Sequence, residues 1–234
     1  MPCAVALTSD TVPRIVVATQ IGSSRPLFIL FSHNVEIQGS LAKLLAEQFR
    51  ILHTGDMTNT PQFPGPNPYA PLKHLPTFEL TSPDIVDGAL IDEQFRAPSN
   101  ISPELNWSDL PEGTKSIAVT CFDPDAPTAA GFWHWAVFNI PANATGLPQN
   151  AGAEGDENLP AGAIQLVGDS GLRGHYGANP PAGHAPHRYM YAVHAVDVYK
   201  LDVPADATPT VLGFNLYFHS IARAIITPWW ENRS

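Results

Sequence analysis

Three prolines and three glycines crowd into Gly174–Tyr191, GHYGANPPAGHAPHRYMY, and no other stretch constrains the fold as tightly. Pro180, Pro181 and Pro186 each hold φ at roughly −65° and remove a backbone donor, so no helix runs through them. Gly174, Gly177 and Gly183 permit tight bends and close approach of a ligand to the backbone. His175, His184 and His187 sit between them, Arg188 follows, and a period-2 apolar run begins at Tyr189. The pattern is a stiff loop that delivers polar groups to the mouth of a strand.

A second stretch, Asp123–Trp135 (DPDAPTAAGFWHW), has the same build. A strand ends, two carboxylates and the prolines Pro124 and Pro127 follow, and His134 opens another strand. Ser116–Phe122 is β-branched and apolar, which predicts a buried strand. Trp135–Ile140 predicts another, closed by Pro141. Phe78–Leu80, Ile164–Val167 and Tyr189–Tyr199 add further strands, the last the longest, and Asp87-Gly88 signals a hairpin turn. Asn143–Pro160 is rich in Gly, Asn and acids and is expected to be a loop. Many short strands with Pro/Gly turns imply an all-β sandwich or barrel. Phe214, Phe218, Ile221, Ala222 and Ile225 fit one helical stripe, so a C-terminal amphipathic helix ended by Pro228 is expected.

Composition agrees with a loop-rich β protein: 24 prolines and only 15% charged residues in 234. The formal charge of −10 excludes a general nucleic-acid binder, which needs a basic face, but not a small, locally positive pocket. Two cysteines, Cys3 and Cys121, are too few for a disulfide framework, and Cys121 reads as a buried thiol. No apolar run approaches the ~18 residues of a membrane span. Without a basic and then apolar leader pattern, the expected location is cytoplasmic, and the Asn-x-Ser/Thr sequons at Asn100, Asn106 and Asn143 are expected to be idle.

Residues 1–56 differ from the rest, with four basic and four acidic residues and only 3 of the 24 prolines. Ile15–Ala18 and Phe28–Phe31 suit short strands, and Leu41, Leu44, Leu45, Phe49 and Leu52 share a helical face. They read as an N-terminal extension, or else as sequence upstream of a natural start at Met57. A Pro-rich lead-in covers 57–76, and the main domain covers 77–234.

The order and spacing of Asp123-Pro124-Asp125-Ala126-Pro127, Trp133-His134-Trp135, Pro180-Pro181 and His187-Arg188-Tyr189, with Leu105-x-Trp107 upstream, resemble the phosphatidylethanolamine-binding protein family. This family is also called Raf kinase inhibitor-like, and the likeness is to its bacterial branch, over Leu75–Trp230. The resemblance implies a Greek-key antiparallel β-sandwich with peripheral helices and a small anion pocket. It places that pocket at Asp123, Asp125, His134, Pro180, Pro181, His187 and Tyr189, with Pro124, Pro127, Gly177, Asn179 and Arg188 in secondary roles. Asn179 stands where the family often has Gly, and Trp133 where it often has a second His. It further implies a phosphate- or carboxylate-bearing ligand such as a phospholipid headgroup, a protein kinase or protease as partner, and a homodimer. It implies no cofactor and no metal.

The residues also admit plainer roles. Asp123 suits a turn cap before Pro124. Asp125 suits a partner for a histidine or Arg188, and Arg188, alternating away from His187 and Tyr189, suits a structural ion pair. His175 and His184 read as exposed loop residues. Strict alternation sends Trp133 and Trp135 to the face opposite His134. A rival function is acid–base hydrolysis by the same Asp/His set, or with Zn²⁺ on His184, His187 and His134, though no activated Ser or Cys nucleophile is in motif context.

Overall fold

The computed structural model describes residues 17–20, 26–29 and 61–233. The chain divides into two compact units, 1–60 and 61–234. In the first, β1 (Val17–Gln20) pairs antiparallel with β2 (Pro26–Ile29), close to the two strands expected there. The expected helical face at Leu41–Leu52 lies outside the described residues.

The second unit is a β-sandwich with one α-helix on its outer face. Strands β3 (Glu79–Thr81), β4 (Leu105–Ser108) and β7 (Gly146–Leu147) form a small antiparallel sheet. The large sheet is five-stranded and uses β5 (Ser116–Asp123), β6 (Phe132–Pro141), β8 (Ile164–Gln165), β10 (Met190–Val196) and β11 (Ser220–Ile226). Its order is β11-β10-β5-β6-β8, every pair antiparallel. The return of β10 to the free edge of β5 is the long connection of a Greek key. A two-stranded ribbon joins β9 (His187–Arg188) to β12 (Trp229–Trp230).

Alternation divides the core into two layers. Ile117, Val119, Cys121, Trp135, Val137 and Ile140 pack against Leu105, Trp107 and Leu147 of the small sheet. On the other face Ala118, Ala136, Phe138 and Val196 meet Leu212 and Leu216 of the helix α1 (Pro209–His219). Thr208 caps that helix by accepting from the Val211 N–H, and Pro209 supplies a preset φ at its first position.

Three expectations are corrected. The helix buries Pro209, Leu212 and Leu216, whereas Phe214 and Phe218 are exposed. Past His219 the chain becomes strand β11, burying Ala222, Ala224 and Ile226 at period 2. Pairing with β10 from Tyr191 to Val196 supplies backbone partners that a longer helix would forfeit, and tertiary pairing overrides the helical spacing. Asp87-Gly88 is a turn but not a hairpin: Leu90 bridges Trp229 in parallel, and the Asp87 carboxylate accepts from the Thr227 N–H at 2.8 Å. His175 is buried at 2% exposure, between the Asn100 carbonyl (Nδ1, 3.1 Å) and the Tyr191 hydroxyl (Nε2, 2.9 Å).

Burial pushes His175 down to about 3 against the opposing pull of the Asn100 carbonyl. Burial, helped by the charge of Arg223, does the same to His194. A histidine held neutral when folded binds fewer protons than when unfolded. Its stability contribution is therefore intact above the unfolded pKa of about 6.5 and fades as pH falls towards 3. Urea unfolding is expected to show about 2 kcal/mol lost per histidine between pH 7 and about pH 5. A stability flat over that range contradicts two neutral buried imidazoles.

Candidate functional site

The site forms where β5 ends. One step beyond the last ladder pair, Met190 opposite Phe122, the register sets Asp123 beside Tyr189 on one side, and it is paired with Phe132 on the other. Gly131, at φ 69°, turns the chain into β6, where a Cβ would sit 2.3 Å from the Phe122 ring. The β5–β6 register then slips between Cys121 and Phe122, which face Trp135 and Trp133. His134 is the extra residue of this bulge. A bulge re-aims the side chain it carries. Trp133 consequently lies against Phe122 and Thr210 on the helix side, while Trp135 is buried in the inter-sheet core and donates to Gln165 at 2.8 Å. The two tryptophans thus occupy opposite faces, contrary to strict alternation.

His134 and His187 converge on one oxygen. His187 Nδ1 is 2.7 Å from Asp123 Oδ2, and His134 Nε2 is 3.9 Å from the same atom. All three residues are at most 3% exposed. Asp123 also caps the turn, its Oδ1 accepting from the Asp125 N–H at 2.8 Å. His134 Nδ1 donates to the Tyr176 carbonyl at 2.8 Å, while the Tyr176 N–H donates back to the His134 carbonyl at 2.9 Å. Carbonyl and carboxylate oxygens only accept, so both Nδ1 atoms carry hydrogen, and neither Nε2 atom makes a hydrogen bond among the described residues. Burial lowers the His134 pKa, with the Tyr176 carbonyl and Asp123 opposing. The Tyr189 ring meets His134 edge-on at 5.1 Å. Its hydroxyl is buried with no hydrogen-bond partner within 3.5 Å among the described residues. Burial, then the Asp123 charge, raise its pKa, and the Asn179 backbone N–H opposes the rise. Phe132 and Tyr176, half-buried, form the rim, with ring centroids 4.9 and 5.6 Å from His134.

Asp125 belongs to the frame of the site. Both its oxygens engage Arg188 (Nε 2.8 Å, Nη2 2.8 Å), and it also accepts from the Arg188 and Gly65 N–H groups. Arg188 in turn holds the Gly65 carbonyl at 2.7 Å and lies over Phe63, so the lead-in is tied to the site. Pro124 is half-buried and Pro127 exposed in the β5–β6 turn; Pro180 is buried, Pro181 exposed. Asn179 donates to the Tyr176 hydroxyl at 2.7 Å. Gly177 is required for the close approach of the Arg96–Ala97 backbone, where a Cβ would meet Arg96 C at 2.3 Å. His184 is exposed, its ring 6.0 Å from that of His187. Among the described residues no group of three or more His, Cys, Asp or Glu side chains is arranged to hold a metal ion. Tyr176 was missed by sequence reasoning, although it stands inside the loop motif, because its main contribution is a backbone carbonyl.

The family model for phosphatidylethanolamine-binding proteins matches residues 81–230. The UPF0098 protein YbhB of Escherichia coli is 51% identical over 128 residues, 55% of this chain and 80% of YbhB. The UPF0098 protein YbcL of the same organism is 48% identical over 132 residues, 56% of this chain and 72% of YbcL. The crystal structure of E. coli YbcL, described as a new member of the mammalian PEBP family, aligns with a TM-score of 0.65 at 42% identity, covering 67% of this chain and 99% of that one. The PEBP homolog CT736 of Chlamydia trachomatis aligns with a TM-score of 0.56 at 27% identity, covering 67% and 98%. With its fold, its motifs and these matches in agreement, the chain belongs to the phosphatidylethanolamine-binding protein family, beside bacterial UPF0098 relatives.

Proposed function

We propose that the chain binds a small anion, a phosphate-bearing headgroup or a carboxylate, between His134, His187 and Tyr189. The observation that carries this reading is the pair of imidazoles turned to one Asp123 oxygen with both Nδ1 atoms already engaged. The partnerless Tyr189 hydroxyl adds a donor that an oxyanion would satisfy. Modulation of a protein kinase or protease, homodimerisation and a cytoplasmic location are the wider parts of the proposal. A Mycobacterium tuberculosis relative, 34% identical over 130 residues, carries the lipoprotein name LppC, so fractionation of cells is the direct check on location.

Phosphate or phosphoethanolamine is expected to raise the melting temperature, and His134→Ala to abolish the rise. A rise that persists in His134→Ala places the anion elsewhere. A second reading, acid–base hydrolysis, is favoured by the 2.7 Å Asp123–His187 contact, which orients the ring as a general base would be oriented. Turnover of phosphoester or ester substrates that His187→Ala eliminates would establish it.

A further inference from the structure

On the opposite face of the large sheet lies a cavity of about 500 Å³, between the lead-in segment, the sheet and α1. This volume is in the range of small-molecule sites. Its walls are mostly apolar: Leu72, Phe122, Trp133, Phe214, Tyr217 and Phe218. Four of these, Leu72, Phe214, Tyr217 and Phe218, are more than 40% exposed and leave an aromatic mouth open.

Thr120 Oγ1 is buried near the Tyr69 phenol and has no hydrogen-bond partner within 3.5 Å among the described residues. Arg223 stands directly across the strands from His194, and its guanidinium lies 4.5 Å from the Tyr69 ring centroid. Among the described residues, no carboxylate or other acceptor meets that guanidinium. Lys73 is exposed among the wall residues. The lining contains two cations and no Asp or Glu, in a protein of formal charge −10. A partly desolvated, unpaired cation is costly. Its burial lowers the Arg223 pKa. An anionic group at this point would offset that cost and accept from Thr120.

We propose that this cavity is a second binding site, separate from the His/Asp site, for a single-chain amphiphile. The aliphatic body would lie against Trp133 and the α1 aromatics, and the carboxylate head would meet Arg223 and Thr120. The proposal does not depend on the anion reading of the first site, because the two lie on opposite faces of the sheet and share no residue.

Calorimetric titration of the full chain with decanoate, below its micelle-forming concentration, is expected to show one saturable site. Decanol, the neutral counterpart, is expected to bind at least about tenfold more weakly, the scale of one charge-assisted contact. Arg223→Gln is expected to reduce decanoate to the decanol level. Gly213 sits on α1 with only the Trp133 ring near its Cβ direction, at 3.9 Å. Gly213→Leu is therefore expected to fill the cavity and abolish binding of both compounds, with the melting temperature kept or raised. Equal binding of decanol and decanoate overturns the anionic head. No saturable binding, or binding unchanged in both variants, overturns the site. A dimer that excludes decanoate and dissociates in Gly213→Leu assigns the face to a second copy of the chain, and also overturns it.

Discussion

Asp125→Ala is expected to destabilise the main domain by about 3–5 kcal/mol, the scale for removing one partner of a buried ion pair. The Asp125 side chain is fully buried, and that of Arg188 is 11% exposed. The pair itself need not be a large net gain over an apolar substitute, since both ions gave up hydration to form it. Removal of the carboxylate alone is costly because the guanidinium is left charged and largely dry. Two further contacts go with it, the Gly65 N–H at 3.2 Å and the Arg188 N–H at 3.0 Å. The lead-in at Gly65–Pro66 would then lose the residue that anchors its anchor. The double variant Asp125→Leu/Arg188→Met is expected to recover much of the loss, as apolar replacements of buried pairs often do. Urea unfolding measures both, and a loss under about 1 kcal/mol in Asp125→Ala would show that the pair does not hold the site together.

Sulfate affinity is expected to rise as pH falls, by up to about tenfold per unit on the alkaline side of the imidazole titration. Sulfate keeps its charge across this range, so the dependence reports on the protein. The cause is the fixed position of two hydrogens. His134 and His187 each spend the Nδ1 hydrogen on an oxygen within the fold. A neutral ring then presents only a lone pair at Nε2, and a lone pair facing an oxyanion repels it. One ring must take up a second proton to become a donor. At His134 burial works against that charge, with the Tyr176 carbonyl and the Asp123 carboxylate opposing. Binding should thus take up close to one proton per sulfate. Calorimetry in two buffers of different ionisation enthalpy counts it. Zero uptake with a pH-independent Kd would mean that backbone donors, not imidazoles, hold the anion.

The two predictions rest on parts of the site that were unequally legible. The Asp-Pro-Asp-Ala-Pro and His-Arg-Tyr stretches were visible as motifs, and the β-branched, apolar run Ser116–Phe122 placed β5 nearly to the residue. The ion-pair role of Arg188 also followed from alternation, which turned it away from His187 and Tyr189. The bulge at His134 did not, because a slipped register leaves no mark on the composition of a strand. Nor did the burial of His175: a histidine between glycines reads as a surface residue until the Asn100 carbonyl and the Tyr191 hydroxyl are brought to its two nitrogens.

By itself the sequence determined the class of fold and the chemistry of the groups available, because side-chain period and Pro/Gly punctuation act over a few residues. Tertiary structure alone decided that residues 220–226 become a strand, that Asp123 serves two imidazoles, and that Arg223 stands without a counter-charge among the described residues beside an apolar cavity. Each of these depends on a partner more than twenty residues away in the chain, and such partners are set by strand pairing and packing, which local pattern does not encode.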